Sequence, residues 1–307
     1  MSQTLIPVES VRLRRRPTEI PIEKKPEWLK VRAVLGPNFL DLKQLKQGLS
    51  LHTICEEAHC PNIFECWENR TATFLILGRI CTRACRFCAV ETGRPTELDG
   101  AEPQRVAAAV KQLGLRHAVI TSVARDDLAD GGACIFGETI HAIRREVPGC
   151  AVEVLIPDLQ GSEDGLAHIV AAAPDILNHN VETVERLQRK VRAKAFYARS
   201  LWVLWRAKEL NPRLLTKSGM MLGVGEEREE VVQTLRDLRD VGVDIVNIGQ
   251  YLRPSLKHLP VARFVPPEEF ADLKAMGQAM GFRHVESGPL VRSSYHAHQH
   301  AEAVAAG

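Results

Sequence analysis

From about residue 70 onward, short apolar runs alternate with longer stretches in which apolar residues recur every three to four positions. Apolar runs of four to eight residues bounded by turn formers suit buried strands, and the longer periodicity suits amphipathic helices. The runs predict strands at 73–77, 117–121, 151–156, 175–178, 215–221 and 244–248. The periodic stretches predict helices at 102–113, 133–147, 164–172, 182–191, 199–210, 228–241 and 267–280. Strand and helix in alternation build a parallel sheet covered by helices. Polar residues follow several different strands, and a barrel gathers such strand ends on one face. The expected fold is therefore α/β, a partial (β/α)6 barrel. Residues 1–50, with Pro7, Pro17, Pro21, Pro26 and Pro37, show no sustained periodicity and read as an extended arm with one short helix near 40–47.

Composition narrows the class. The chain is 45% apolar and 25% charged, as in ordinary globular proteins. A net charge of +2 makes no electrostatic case for a nucleic-acid partner. No apolar run approaches the roughly 20 residues of a membrane span, so no membrane association is expected. The N-terminus lacks the apolar stretch of a signal peptide, and its basic run from Arg12 to Arg16 reads as solvated. Without an export signal, clustered cysteines point to metal binding or catalysis, and the expected compartment is the cytoplasm.

Six of the eight cysteines form two triplets. Cys81, Cys85 and Cys88 give C-x3-C-x2-C, directly after the first expected strand; Cys55, Cys60 and Cys66 give C-x4-C-x5-C upstream. Each iron of a 4Fe-4S cubane needs one ligand beyond its bridging sulfides, so three thiolates leave one iron open to a substrate or a weaker ligand. Two triplets suggest two such clusters. The zinc alternative needs a second C-x2-C pair at a longer interval, whereas one loop here supplies three ligands. His59, between two of the cysteines, is a further candidate ligand, although donation to nearby backbone or thiolate is the plainer role. Cys134 and Cys150 read as core, and His296, His298 and His300 as a tail without partners.

The C-x3-C-x2-C loop, with Phe87 just before its third cysteine, resembles the signature of the radical SAM superfamily. ICEEAHCPNIFECW at 54–67, LGRICTRACRFCAV at 77–90, TSVARDDLADGGA at 121–133, LNHNVETVERL at 177–187 and RSSYHA at 292–297 together resemble the lipoyl synthase family. The resemblance covers residues 28–297. It implies a partial barrel of the radical SAM type at 69–290. An N-terminal extension at 1–68 carries the auxiliary-cluster cysteines, a C-terminal tail at 291–307 carries RSSY, and both pack near the barrel mouth.

The resemblance also implies S-adenosylmethionine and two 4Fe-4S clusters as cofactors, one held by Cys81, Cys85 and Cys88 and one by Cys55, Cys60 and Cys66. The implied reaction inserts two sulfur atoms at carbons 6 and 8 of a protein-bound octanoyl-lysine, with sulfur drawn from the auxiliary cluster. Those carbons are unactivated, so a hydrogen-abstracting radical is required. Implied partners are octanoylated lipoyl carrier domains of 2-oxoacid dehydrogenase acyltransferase subunits and the glycine cleavage H protein. An electron donor such as flavodoxin or ferredoxin and an iron–sulfur carrier protein that repairs the cluster are implied as well.

By the same resemblance the fourth ligand of the auxiliary cluster is a serine of Arg292-Ser293-Ser294-Tyr295, and the pattern selects Ser294; residue chemistry alone leaves Ser293 equal. Candidate contacts to S-adenosylmethionine are Phe87, Thr121, Ser122, Gly223, Gln250 and Leu252, with Glu153 at the ribose hydroxyls. Asn178 and Asn180 could meet the methionine part or the octanoyl amide. Gly219 and Gly225 flank the same glycine-rich segment as Gly223, where glycine permits close approach. Asp126, Asp127 and Asp130 read equally as turn residues or as the border of a substrate channel; Arg125 and Arg292 are candidates to orient carboxylates or sulfides, although arginines on loops are usually solvated. Competing readings are a sulfur-inserting relative of the biotin synthase or methylthiotransferase type, and a zinc-stabilised binding protein.

Overall fold

The computed structural model describes residues 24–31, 35–192 and 194–297. The strands are β1 (His52–Thr53), β2 (Thr73–Ile76), β3 (His117–Ser122), β4 (Ala151–Leu155), β5 (Ile176–Asn178), β6 (Leu215–Leu222), β7 (Ile245–Gln250) and β8 (His284–Gly288). They lie in chain order in one sheet. Pairing is parallel from β2 to β8, with β1 antiparallel to β2. β1 and β8 are the two free edges, so the barrel is open. The helices are α1 (Pro37–Gly48), α2 (Ile54–Glu57), α3 (Ile63–Glu68), α4 (Glu102–Leu113), α5 (Ala133–Glu146), α6 (Glu163–Ala171), α7 (Gln188–Val191), α8 (Tyr197–Leu210), α9 (Arg228–Asp240) and α10 (Pro267–Ala279). No described helix is long and apolar enough to cross a membrane.

The local reasons are ordinary chemistry. All six residues of β7 are buried, as expected for a parallel strand covered on both faces. α4 carries Pro103 in its first turn and is capped by Gly114, which takes the left-handed conformation at φ 63°. α9 opens with a reciprocal capping box between Glu227 and Glu230. One core layer packs Val106, Val110, Phe136, Ile140 and Leu166 against the outer face of the first strands. Another packs Leu235, Leu238, Phe270 and Leu273 behind β6 to β8.

The six expected strands are β2 to β7, and the short helix near 40–47 is α1. β1, β8, α2 and α3 were not expected. The helix expected at 182–191 does not form: a 3-10 turn at Glu185–Leu187 and the single turn of α7 replace it. Glu182 donates its amide to the Gly219 carbonyl, and its own carbonyl accepts from Met221. Its backbone is committed to the flank of β6 and unavailable to a helix.

Inside the barrel, Lys217 Nζ of β6 lies 2.9 Å from Glu153 Oε1 of β4, and both side chains are 0% exposed. Asn178 Nδ2 donates to the same oxygen at 3.2 Å, and His117 Nε2 is 3.4 Å from Oε2. Burial pushes the Glu153 carboxyl up, but Lys217 and His117 more than offset this and lower it from 4.5 to about 2. A carboxyl lowered on folding stabilises the fold fully above its unfolded value and less as pH falls through its folded one. The contribution of Glu153 is therefore expected to fade between pH 4.5 and about 2. Lys217→Met leaves that carboxylate buried without its cation. It should cost about 3–5 kcal/mol in a denaturant titration, with Lys217→Met plus Glu153→Met recovering much of the loss.

Candidate active site

A cavity of about 380 Å³ opens at the carboxyl ends of the strands and is lined by Cys55, Cys60, Cys81, Cys85 and Cys88. The loop carrying Cys81, Cys85 and Cys88 leaves β2 and is tied to the barrel at several points. Thr82 N donates to the Ala124 carbonyl at 3.0 Å, Arg86 N to Val191 at 3.0 Å, and Leu259 N to the Arg86 carbonyl at 3.0 Å. His258 Nε2 donates to the Cys88 carbonyl at 2.9 Å. The Cys81 sulfur already accepts from two backbone amides, Arg83 N at 3.4 Å and Ala124 N at 3.3 Å.

Arg83, between two of the cysteines, fastens this loop further. Its guanidinium reaches Asp126 through Nε at 2.9 Å and Nη2 at 2.8 Å, and Asp158 through Nη2 at 2.6 Å. Paired planar contacts of this kind fix orientation as well as distance. Arg83 is also where the acidic cluster is explained. Asp126 holds Arg83, Asp127 holds Arg125, and Asp130 caps α5 through the amides of Gly132 and Cys134. The helix-terminus and turn chemistry is what these contacts show. Arg125, expected in solvent, is 3% exposed and donates to the Leu77 and Glu97 carbonyls.

The other triplet is built by α2, α3 and the turn between them. Cys55 lies in α2 and Cys66 in α3. Cys60 N closes the turn on the Cys55 carbonyl at 3.0 Å. A small second cavity is lined by Cys55, Cys60, Cys66, Arg292 and Ser294. Ser293 lines the large cavity and not this one, and its Oγ accepts from Asn180 Nδ2 at 2.8 Å. The segment is held in place by Asn62 Nδ2 to the Leu290 carbonyl at 2.7 Å and Asn247 Nδ2 to the Arg292 carbonyl at 3.0 Å. Tyr295 donates its hydroxyl to Glu65 at 3.1 Å.

Burial pushes the Cys55 thiol up to about 12, with Cys60 adding to the rise. Burial likewise raises Cys60 and Cys66, and lifts Cys85 to about 11 and Cys88 to about 12. These thiols hold their protons in the metal-free chain, so iron binding releases protons. No three His, Cys, Asp or Glu side chains among the described residues stand close enough to hold a single metal ion. A cubane takes one ligand at each of its separate corners.

Of the contacts expected for S-adenosylmethionine, Phe87, Thr121, Ser122, Gln250 and Leu252 line the large cavity. Glu153, Asn178 and Gly223 do not. Glu153 and Asn178 are fully buried and engaged with each other and with Lys217 inside the barrel. At Gly223, φ is 94°, and an added Cβ would lie 2.2 Å from Gln250 Nε2. The adjoining amides of Gly223, Val224 and Gly225 are all satisfied by the Glu226 carboxylate, at 2.7, 2.9 and 3.1 Å. That nest is filled by the chain itself. The amide of Gln250 is also spent, donating to the Leu222, Tyr251 and Arg263 carbonyls and accepting from Val265 N.

Other cavity residues carried no sequence signal strong enough to select them: Arg83, His179, Glu182, Arg192 and Asn247. The position of Arg83 inside the cysteine loop is the one available hint. His179 Nδ1 lies 2.9 Å from the Ile156 carbonyl, which can only accept, so the ring proton sits on Nδ1 and Nε2 accepts from Ser200 at 3.0 Å. Burial, then Arg192, lowers His179 from 6.5 to about 4, which keeps it neutral. Ser122 Oγ, Asn180 Oδ1 and Asn247 Oδ1 are buried without a hydrogen-bond partner, as polar groups awaiting a ligand would be. Together with the two thiol sets, they fit two clusters and a polar cofactor. Elsewhere, Cys150 is buried as expected, but Cys134 is exposed on the first turn of α5. His296 stacks on Tyr295 at 3.8 Å and lies 3.6 Å from Glu65, while His298 and His300 lie outside the described residues.

Residues 75–238 match the radical SAM superfamily, and residues 9–60 match the N-terminal domain of lipoyl synthase of that family. A lipoyl synthase from Rubrobacter xylanophilus is 62% identical over 94% of this chain and 92% of its own length. One from Symbiobacterium thermophilum is 60% identical over 92% of this chain and 89% of its own. Among solved structures, Streptococcus suis SuiB bound to precursor peptide SuiA has a TM-score of 0.55 at 9% identity, covering 70% of this chain and 48% of SuiB. That likeness is of fold alone. An open parallel barrel with C-x3-C-x2-C after its first parallel strand, a second cysteine triplet beside it, and relatives alike along nearly their whole length place this chain in the lipoyl synthase family of the radical SAM superfamily.

Proposed function

We propose that Cys81, Cys85 and Cys88 hold the cluster that binds S-adenosylmethionine, and that Cys55, Cys60, Cys66 and Ser294 hold the cluster that gives up sulfur. The activity is lipoyl synthase: insertion of two sulfur atoms at carbons 6 and 8 of an octanoyl group on a lysine of a lipoyl carrier protein. The observation that carries the assignment is the shared cavity, which Cys81, Cys85 and Cys88 line together with Cys55 and Cys60. When bound, the first cluster with S-adenosylmethionine supplies a hydrogen-abstracting radical, and the second supplies sulfide. The chain's own residues do the rest. Backbone amides of Arg83 and Ala124 face the Cys81 sulfur, and the Arg83 clamp keeps the loop from shifting. Phe87, Thr121, Ser122 and Leu252 line the space proposed for S-adenosylmethionine, Gln250 holds the backbone beneath it, and Asn180 and Asn247 offer amide oxygens to a polar ligand.

Ser294 is favoured over Ser293 because it borders the small cavity with all three cysteines of its set, while Ser293 is bonded to Asn180. An alkoxide is harder than a thiolate and suits sulfide-bridged iron less well, so this is the ligand proposed to leave as sulfur is taken. Residues 1–68 and 291–307 are proposed as extensions that complete the auxiliary site around a barrel at 69–290. The proposed carriers are 2-oxoacid dehydrogenase acyltransferase subunits and the glycine cleavage H protein. A flavodoxin or ferredoxin is proposed as the electron donor, and an iron–sulfur carrier protein as the source of cluster repair. The cytoplasm is the proposed compartment, since the thiols must stay reduced.

Two sets of variants test the assignment. Cys81→Ala and Cys55→Ala should each lose roughly half of the bound iron and sulfide. Only Cys81→Ala should abolish 5′-deoxyadenosine formation; retained cleavage in that variant would contradict the division of labour. Ser294→Ala should lower sulfur insertion at least about 10–100-fold, the loss typical of disturbing even an outer metal partner. Ser293→Ala should do far less, and the reverse order would exchange the two serines.

A further inference from the structure

Arg292 stands where the two cavities meet, lining both the large one and the small one. Among the described residues no carboxylate pairs with it; its guanidinium donates to the Val291 carbonyl at 2.6 Å, and the Cys60 thiol is the titratable group beside it. Other arginines of the site are spent otherwise. Arg83 is neutralised by Asp126 and Asp158, and Arg192 donates to the Asn180 and Val181 carbonyls. A half-buried guanidinium with no anion beside it carries a desolvation cost that an anion would offset. Its position is also enforced: Gly249 packs so closely on the segment that an added Cβ would lie 2.1 Å from the Val291 carbonyl oxygen and 3.3 Å from Arg292 Nη1.

We propose that Arg292 is the counter-cation of the cluster held by Cys55, Cys60, Cys66 and Ser294, setting its reduction potential and its retention. The inference rests on the ligand assignment above. Three thiolates and an alkoxide around a 4Fe-4S core leave a net negative charge, and adding an electron makes it more negative. A cation at the cluster's edge favours both the bound state and the reduced state. The same guanidinium also lines the large cavity. Arg292 is thus a positioning residue that acts through charge.

The test is a redox titration of the fully loaded enzyme followed by electron paramagnetic resonance. S-adenosylmethionine is present because it alters the spectrum of the cluster it binds and leaves the other recognisable. Arg292→Gln should disfavour reduction of the auxiliary cluster at least tenfold, about 59 mV for one electron. Arg292→Lys should stay near wild type, and the cluster of Cys81, Cys85 and Cys88 should not move in either variant. An unchanged auxiliary potential in Arg292→Gln, an equal shift in Arg292→Lys, or a common shift of both clusters would overturn the proposal. If Arg292→Gln fails to retain the auxiliary cluster, retention by Arg292→Lys at wild-type potential supports the charge role. Loss in both variants assigns the guanidinium to packing and overturns it. A wild-type enzyme with iron for one cluster would refute the ligand assignment itself, independently of Arg292.

Discussion

The site depends on a closure between distant parts of the chain. Asn62, in the turn between two cysteines of the first triplet, donates to the carbonyl of Leu290, 228 residues away, at 2.7 Å. Tyr295 reaches back to Glu65 in α3, and Asn247 of β7 grips the backbone of Arg292 from beneath. These contacts bring Ser294 to the three thiols and put Arg292 between the cavities. The two asparagine bonds are partly buried, where leaving a group unpaired costs more than the bond itself gains; the Tyr295–Glu65 bond lies at the surface. The closure is also selective. Asn180 takes the Ser293 hydroxyl, which leaves its neighbour to face the cysteines.

The loop carrying Cys81, Cys85 and Cys88 is fixed to the barrel by contacts of its own. Arg83 carries two aspartates from two different strand-to-helix loops, and the loop's amides and carbonyls bond to segments at 124, 191 and 259. The division suits the chemistry. A group that must deliver an electron and a radical repeatedly benefits from a rigid, preorganised frame. On the proposed assignment, the group that gives up sulfur must be rebuilt, and its ligands lie outside the barrel strands, on α2, α3, the turn between them and the segment after β8.

Much of this was legible in the sequence, for identifiable reasons. β2 to β7 were readable because parallel strands buried on both faces are continuous apolar runs. β8 escaped because HVESG at 284–288 is mostly half-buried and carries a glutamate, and two-residue β1 is too short to leave a pattern. The cysteine triplets were readable because ligand spacing is local. Glu153 was misplaced for the opposite reason. A buried glutamate implies a polar partner, but the sequence does not say whether that partner is a ligand or a lysine two strands away. Lys217, the partner, lies 64 residues further on. At Gly223 the positive φ is present, but its amide and those of the next two residues are taken by Glu226, three residues on, which the glycine pattern alone does not reveal. The acidic residues at 126–130 could not be assigned without knowing that Arg83 folds onto them.

The central claim is that the two thiol triplets serve different ends in one cavity, one cluster generating the radical and the other giving up sulfur. The most direct measurement rebuilds the clusters with isotopically heavy sulfide. The loaded enzyme is then mixed anaerobically with S-adenosylmethionine, a low-potential reductant and an octanoyl-lysyl peptide in the absence of free sulfide. Mass spectrometry should find both sulfurs of the product heavy, with 5′-deoxyadenosine formed alongside and auxiliary iron released. A product carrying light sulfur, or one made while both clusters stay intact and labelled, would contradict the account.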